Sequence, residues 1–368
     1  MSPMPEGNAI IYCEGAFATP NGKTAHGLIR RTERYRVLSV IDSRYAGKDA
    51  GKILDGIAKN IPIFSDLDTA FTHAIANGPP ASHFVIGLAP DGGRLSPSAR
   101  ADVIKAIQMG LNVDSGLHDF LSEDSELVRL AKKHQVQLRD VRKTPPRNQL
   151  HFFEGKIEQV DSFKIAVLGT DSAIGKRTTA WMLVDGLRNA GYSAELIGTG
   201  QTAWMQGAHY SLMLDSLIND FLTGEIEHAV WSAWNDLHPD FIVIEGQGSL
   251  LNPAYPGGYE ILAAARPDAV ILQHAPTRRT YDGFPNYHIQ PLEKQITAIE
   301  MVSEKPVIAI AINHEGLSQV EIPIVCRQIN QQTTLPAVDV LVNGATGIVS
   351  TILQFKTESS KNEKTKAT

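Results

Sequence analysis

The apolar run Phe163 to Leu168 ends in Gly169-Thr170-Asp171-Ser172-Ala173-Ile174-Gly175-Lys176-Arg177-Thr178-Thr179, which leads straight into a helical pattern. A strand, a glycine-bounded loop and a helix in that order leave few folds open. Gly169 and Gly175 allow the backbone to curl until successive N–H groups face inward. Lys176 adds a positive charge, and the helix contributes its positive N-terminal end. The segment is read as a phosphate-binding loop.

Two departures from the commonest form of such loops bear on function. One additional residue lies between the glycines, and in this the segment resembles dethiobiotin synthetase-like loops. Arg177 also stands where a Ser or Thr hydroxyl usually holds Mg²⁺, so metal-assisted phosphoryl transfer is disfavoured and no metal is expected. Thr178 supplies that hydroxyl only if the register slips by one. An anion cradle without its metal ligand suits a phosphate-bearing molecule held for chemistry at its other end, and coenzyme A is one.

The 368 residues suffice for two domains with full cores, and 43% hydrophobic with 20% charged residues is ordinary for a globular protein. A formal net charge of -6 argues against a nucleic-acid partner. Lys23, Arg30, Arg31, Arg34 and Arg36 form a basic cluster that is read as a solvated face. Cys13 and Cys326 suggest neither a disulfide framework nor a metal site. With no signal-peptide pattern and no apolar run of about 20 residues, the expected location is the cytoplasm and no membrane contact is expected. The expected partners are a small acidic amino acid and further copies of the same chain. Residues 357–368, made of Lys, Glu, Ser, Thr and similar residues, are expected to be a disordered tail.

Strand-like and helix-like segments alternate throughout, which implies parallel α/β architecture. The expectation is two three-layer α/β domains: a Rossmann-like parallel sheet over residues 1–147 and a P-loop NTPase-like domain over 148–356. In the first, Ala9 to Tyr12, Tyr35 to Ile41, Ile61 to Phe64, His83 to Leu88 and Gly110 to Val113 read as strands. Helices are expected at Asp66 to Ala76, entered through Ser65, and at Ser98 to Met109. Asp42 stands where Rossmann-type domains place a ribose-binding acid, but the first turn, Glu14 to Gly22, lacks G-x-G-x-x-G. In the second domain the strands are Lys164 to Leu168, Ser193 to Ile197, Phe241 to Glu245, Ala269 to Gln273 and Val307 to Ile312. The helix Thr178 to Ala190 ends at Gly191.

Three constellations follow strands of the second domain. Phe241 to Glu245 ends in an acid followed by Gly246-Gln247-Gly248, which places the Glu245 carboxylate beside the phosphate loop to take a proton, or to balance Arg177. Thr199 and Gln201, in Gly198-Thr199-Gly200-Gln201-Thr202, suit close approach to a ligand. Gln273-His274-Ala275-Pro276-Thr277-Arg278-Arg279-Thr280-Tyr281-Asp282 offers His274 as a second base and Arg278, Arg279, Tyr281 and Asp282 for an acidic substrate, since guanidinium groups take carboxylates in bidentate fashion.

Together with His26-Gly27-Leu28-Ile29-Arg30 and Val113 to Leu121, these motifs resemble a bacterial family of long-unknown function that includes D-glutamate N-acetyltransferases. The resemblance covers nearly the whole chain apart from the tail. It implies acetyl-CoA as donor and D-glutamate, or other D-amino acids, as acceptor in D-amino-acid catabolism, with Glu245 and then His274 as candidate bases. Two other classes stay open: an ATP-dependent ligase or kinase, favoured by the loop and disfavoured by Arg177, and a non-catalytic nucleotide-sensing or assembly protein.

Overall fold

Every strand of the first unit is bonded to its neighbours in parallel, so each connection must cross a face of the sheet and bring a helix with it. The computed structural model describes residues 4–366. The first unit runs to Pro145. Its elements are β1 (Gly7–Tyr12), α1 (Lys23–Arg30), β2 (Tyr35–Ile41), α2 (Ala50–Asp55), β3 (Ile63–Phe64), α3 (Leu67–Asn77), β4 (His83–Ile86), α4 (Pro97–Gln108), β5 (Asn112–Ser115), α5 (Ser125–His134) and β6 (Leu138–Asp140). Spatial order is β3-β2-β1-β4-β5-β6, the Rossmann arrangement. Alternation along β1 sends Ala9 and Ile11 into one core and Ile10 and Tyr12 into the other, as a sheet covered on both faces requires. The cap expected of Ser65 falls to Asp66, whose carboxylate accepts from the Thr69 amide at 2.8 Å.

The second unit begins at Pro146 with β7 (Phe163–Gly169), α6 (Lys176–Asn189) and β8 (Ala194–Gly198). The next helix, α7 (Gln201–Gln206), lies in the segment Gly200–Ala208, which groups with the first unit. Gln206 Nε2 donates to the carbonyls of Gly27 and Arg31 at 2.8 and 3.0 Å, and Thr24 and Thr202 share a hydroxyl bond of 2.9 Å. The Arg34 guanidinium lies 3.8 Å above the Trp204 ring. Arg34 is therefore a packing residue rather than part of a solvated basic face, and Arg30 and Arg31 pair with Asp55 and Glu33.

The second unit continues with β9 (Tyr210–Ser211), α8 (Asn219–Leu237), β10 (Phe241–Glu245), α9 (Tyr259–Ala265), β11 (Ala269–His274), the hairpin β12 (Thr280–Tyr281) and β13 (Phe284–His288), and α10 (Leu292–Ser303). After these come β14 (Val307–Ile312), α11 (Glu321–Thr333), β15 (Ala337–Val338), α12 (Val340–Asn343) and α13 (Thr346–Lys366). Its parallel sheet has the order β15-β14-β11-β7-β10-β8-β9. The central strand β7 is buried along its whole length and delivers the phosphate loop at its carboxyl end.

α13 carries the chain as helix to Lys366, past the start of the expected tail at residue 357; Ala367 and Thr368 lie outside the described residues. Lys, Glu and Gln are good helix formers, and Gln354 bonds Glu358 across one turn at 2.9 Å. Among the described residues no helix is long and apolar enough to cross a membrane.

Candidate functional site

Gly169 to Thr179 forms the turn between β7 and α6. A side chain at Gly169 would bring Cβ within 2.8 Å of the Lys176 stem and 3.0 Å of Ile174, while Gly175 sits at φ +103° and Ala173 at φ +51°. Such a backbone folds only with glycine at its tightest points. Lys176 is buried, and its Nζ donates to the carbonyls of Asp171 and Gly248 at 2.7 and 2.8 Å. The amine thus ties the loop to the Glu245-Gly246-Gln247-Gly248 turn as well as supplying charge. The close-wound loop, its lysine and the N-terminus of α6 fit a phosphate-bearing ligand.

The loop is held from outside by a fully buried carboxylate. Asp171 accepts from Asn252 Nδ2, Arg278 Nη1 and the Asp282 amide, each at 3.0 Å. Arg278 also donates to the Ser172 carbonyl at 2.9 Å and to Glu315 Oε2 at 2.7 Å. The Arg278 guanidinium, expected to meet an acidic substrate, is thus engaged in bracing the loop. Tyr281 is buried with its hydroxyl on the Leu251 carbonyl at 2.7 Å, and Asp282 serves Asp171 through its backbone. Arg279, the residue after Arg278, is exposed.

Arg177 does take the place of the usual hydroxyl at the start of α6, half-buried. Thr179 is buried and bonds Gln273 Oε1 at 2.5 Å, while Thr178 is half-buried. Among the described residues, no three His, Cys, Asp or Glu side chains gather into a metal-holding group.

Glu245 ends β10, only 4% exposed, and accepts from the Thr199 amide at 3.0 Å. The Thr199 hydroxyl donates to the Glu245 carbonyl and accepts from Gln247 Nε2, both at 3.0 Å. Burial pushes the Glu245 carboxyl above its ordinary range, and the Arg177 charge, the Thr199 amide and Lys176 only partly oppose this. His274, at the end of β11, shares a 3.0 Å hydrogen bond between Nδ1 and the Thr170 hydroxyl. Burial drops its pKa to about 4, so the ring stays neutral and is a poor acceptor for an ammonium proton.

Thr199 and Gln201 fall in different units. Thr199 stays with Glu245, whereas Gln201 is buried in the first unit, where a Cβ on Gly116 would approach its Cγ to 2.5 Å. The chain passes extended through Gly200, at φ -152°, before α7 begins, and the two side chains belong to different units.

Residues 151–349 match the P-loop domain of unknown function DUF1611_C, and residues 43–144 match the Rossmann-like domain of unknown function DUF1611_N. The chain belongs to the DUF1611 family. It is 30% identical over 279 residues to a D-glutamate N-acetyltransferase of Pseudoalteromonas sp, covering 74% of this chain and 81% of that relative. A second protein of that name, from Tritonibacter scottomollicae, is 30% identical over 290 residues, with 77% and 85% covered. The crystal structure of a DUF1611 family protein from Anabaena variabilis is similar with a TM-score of 0.86 at 27% identity, over 95% of this chain and 99% of that one.

Several further residues shape the phosphate loop in this DUF1611 chain, of which Asn313, Asn252 and Glu315 lie outside the motifs read from the sequence. Asn313 Nδ2 donates to the Ile174 carbonyl at 2.8 Å, Gln273 accepts the Thr170 amide on its carbonyl at 3.0 Å, and Asn252 and Glu315 complete the Asp171 and Arg278 contacts. A signal was present for Asn313 and Glu315, which follow the apolar strand β14 as Gly246 follows β10. Asn252 lies in an irregular loop with no periodic pattern to mark it.

Proposed function

We propose that this DUF1611 protein is an N-acetyltransferase that uses acetyl-CoA and D-glutamate, with the donor held by its phosphates at Gly169 to Thr179. The observation that carries the reading is the combination of a complete anion cradle, Arg177 in place of the metal-binding hydroxyl, and a buried Glu245 whose carboxyl is raised above its ordinary range. The 30% identical relatives named for this activity support it. Bound acetyl-CoA supplies a thioester carbonyl. Lys176 and the N–H groups at the start of α6 bind the phosphates. Glu245 accepts a proton from the acceptor ammonium, because only the neutral amine is a nucleophile. The nitrogen–carbon bond forms as the carbon–sulfur bond breaks; of the two protons the nitrogen sheds, one ends on the thiolate and the other reaches solvent. With Arg278 engaged at Asp171, Arg279 is the guanidinium left to meet an acceptor carboxylate.

The test is release of free thiol by the purified protein from acetyl-CoA with D-glutamate, L-glutamate or no acceptor. D-Glutamate-dependent release that persists in excess EDTA supports the reading. Turnover only with ATP and Mg²⁺ moves the chain to the ligase or kinase class, and no turnover with either set leaves the nucleotide-sensing reading.

A further inference from the structure

Three aromatic rings form an exposed group on two segments that are hydrogen-bonded to the phosphate loop. Tyr255 is 51% and Tyr287 54% exposed, and Phe284 is half-buried between them. Phe284 meets Tyr255 at 6.0 Å and 70°, and Tyr287 at 6.4 Å and 82°. Edge-to-face contacts of this kind leave ring faces unspent, and a ring face is what a planar base stacks upon. Scattered exposed aromatics need no explanation, but a contiguous group beside a ligand cradle does.

Both arms that carry these rings are fastened to Asp171, inside the loop. The Asp282 amide at the tip of the hairpin β12–β13, which bears Phe284 and Tyr287, bonds Asp171 Oδ2, and the hairpin is further pinned by the Tyr281 hydroxyl on the Leu251 carbonyl. On the other arm, the Tyr255 amide donates to Asn252 Oδ1 at 3.0 Å while Asn252 Nδ2 bonds Asp171 Oδ1. The Tyr255 carbonyl packs on Gly248, at φ +50°, whose own carbonyl receives Lys176. One buried carboxylate therefore fixes the rings relative to the anion cradle.

We propose that Tyr255, Phe284 and Tyr287 form a stacking site for the purine base of the ligand whose phosphates the loop holds. The proposal rests on the phosphate-loop reading above and deepens it. Half of the donor, its adenosine portion, is recognised on aromatic faces, and the thioester arm is left to reach Glu245.

The test is equilibrium binding to the full chain of three probes: coenzyme A, adenosine 3′,5′-bisphosphate and 4′-phosphopantetheine, which keeps the arm and a phosphate but lacks the base. Tyr287→Ala and Tyr255→Ala should each weaken coenzyme A and the bisphosphate by roughly 5- to 100-fold, leave phosphopantetheine unchanged and preserve the D-glutamate KM. Tyr→Phe at either place should bind as the parent does. An equal loss for all three probes overturns the proposal, as do unchanged affinities, including the case where the substitutions instead dissociate an oligomer and so mark the patch as an interface between copies. If the unsubstituted chain binds phosphopantetheine as well as coenzyme A, the stacking site falls and the cradle stands. If it binds none of the three, both fall.

Discussion

Asp42 and Glu245 occupy matching places in the two sheets, at the carboxyl end of a strand beside the first strand of its unit, and both are buried. Their surroundings differ. Asp42 takes the Phe17 amide at 2.9 Å, the Arg44 amide at 3.1 Å, and Arg44 Nε and Nη2 at 3.0 and 2.8 Å. Burial pushes its carboxyl up, but these donors outweigh burial and hold it below the ordinary range. Glu245 has the Thr199 amide and the more diffuse help of Arg177 and Lys176, and burial wins. A buried acid whose acceptor sites are filled is part of the scaffold, whereas one held above its ordinary range is poised to take up a proton. The Asp42 carboxylate of the first unit is thus filled by its own hydrogen bonds, whereas Glu245 of the second is the acid proposed to take a proton.

The largest expected effects would break this comparison if they failed. Glu245→Gln should lower kcat by ~10² to 10⁴ with both ligands still bound, and should remove the acid limb of the pH–rate profile. That limb is expected because Glu245, as the proposed base, has to be ionised to accept a proton, so turnover should be lost as pH falls through a value above the ordinary carboxylate range. Asp42→Asn should do the reverse: roughly 1–3 kcal/mol of stability lost, from a buried charge-assisted network, and turnover of the folded protein unchanged. Steady-state kinetics and urea unfolding of both variants decide it; comparable loss of turnover in the two removes the distinction.

A smaller contrast separates two neighbouring arginines. Arg278→Met removes the brace between Asp171, Ser172 and Glu315, so the donor Kd should rise about tenfold or more, in keeping with loss of charged hydrogen bonds. Arg279→Met should raise the acceptor KM and leave the donor Kd alone. Isothermal titration with coenzyme A and initial rates against D-glutamate read the two arms separately. If Arg278→Met raises only the acceptor KM, its guanidinium reaches substrate in spite of the brace.

What could be read in the sequence was local. The central strands β7, β10 and β14 are continuous apolar runs because parallel strands are covered on both faces, and the phosphate loop declares itself through glycines and a lysine within one turn. Edge strands such as β9 and β15, two residues each, carry no period and were invisible. So were interactions across long separations. Asn252 lies 81 residues from Asp171, and Asn313 lies 139 from Ile174. Nothing around Gln201 announces that Trp204 and Gln206 find Arg34 and Gly27 in the first unit. The Lys- and Glu-rich end shows the same limit: a composition that forms no core is still good at forming helix.

His274 gives the smallest effect and an independent check on which group is the base. Its ring has an ordinary pKa of 6.5 and a folded value of about 4, lowered by burial. Between those values the unfolded chain binds the proton and the folded chain does not, so the folded state loses stability as pH falls from about 6.5 toward 4, by roughly 3 kcal/mol at the end of the window. Above 6.5 the histidine exerts no pH-dependent effect. Asp42 acts in a lower window, because its stabilisation is present above the unfolded value of 3.8 and is lost only as pH falls through the depressed folded one. Glu245 has the opposite sign to both: its raised value favours the fold below the unfolded 4.5, an advantage that disappears as pH rises through the folded value. His274→Asn, which keeps a polar partner for the Thr170 hydroxyl, should therefore flatten the difference between urea unfolding at pH 7 and pH 4.5. It should leave the acid limb of the rate profile where Glu245 puts it. A limb that disappears with His274→Asn, and survives Glu245→Gln, would transfer the role of base to the histidine.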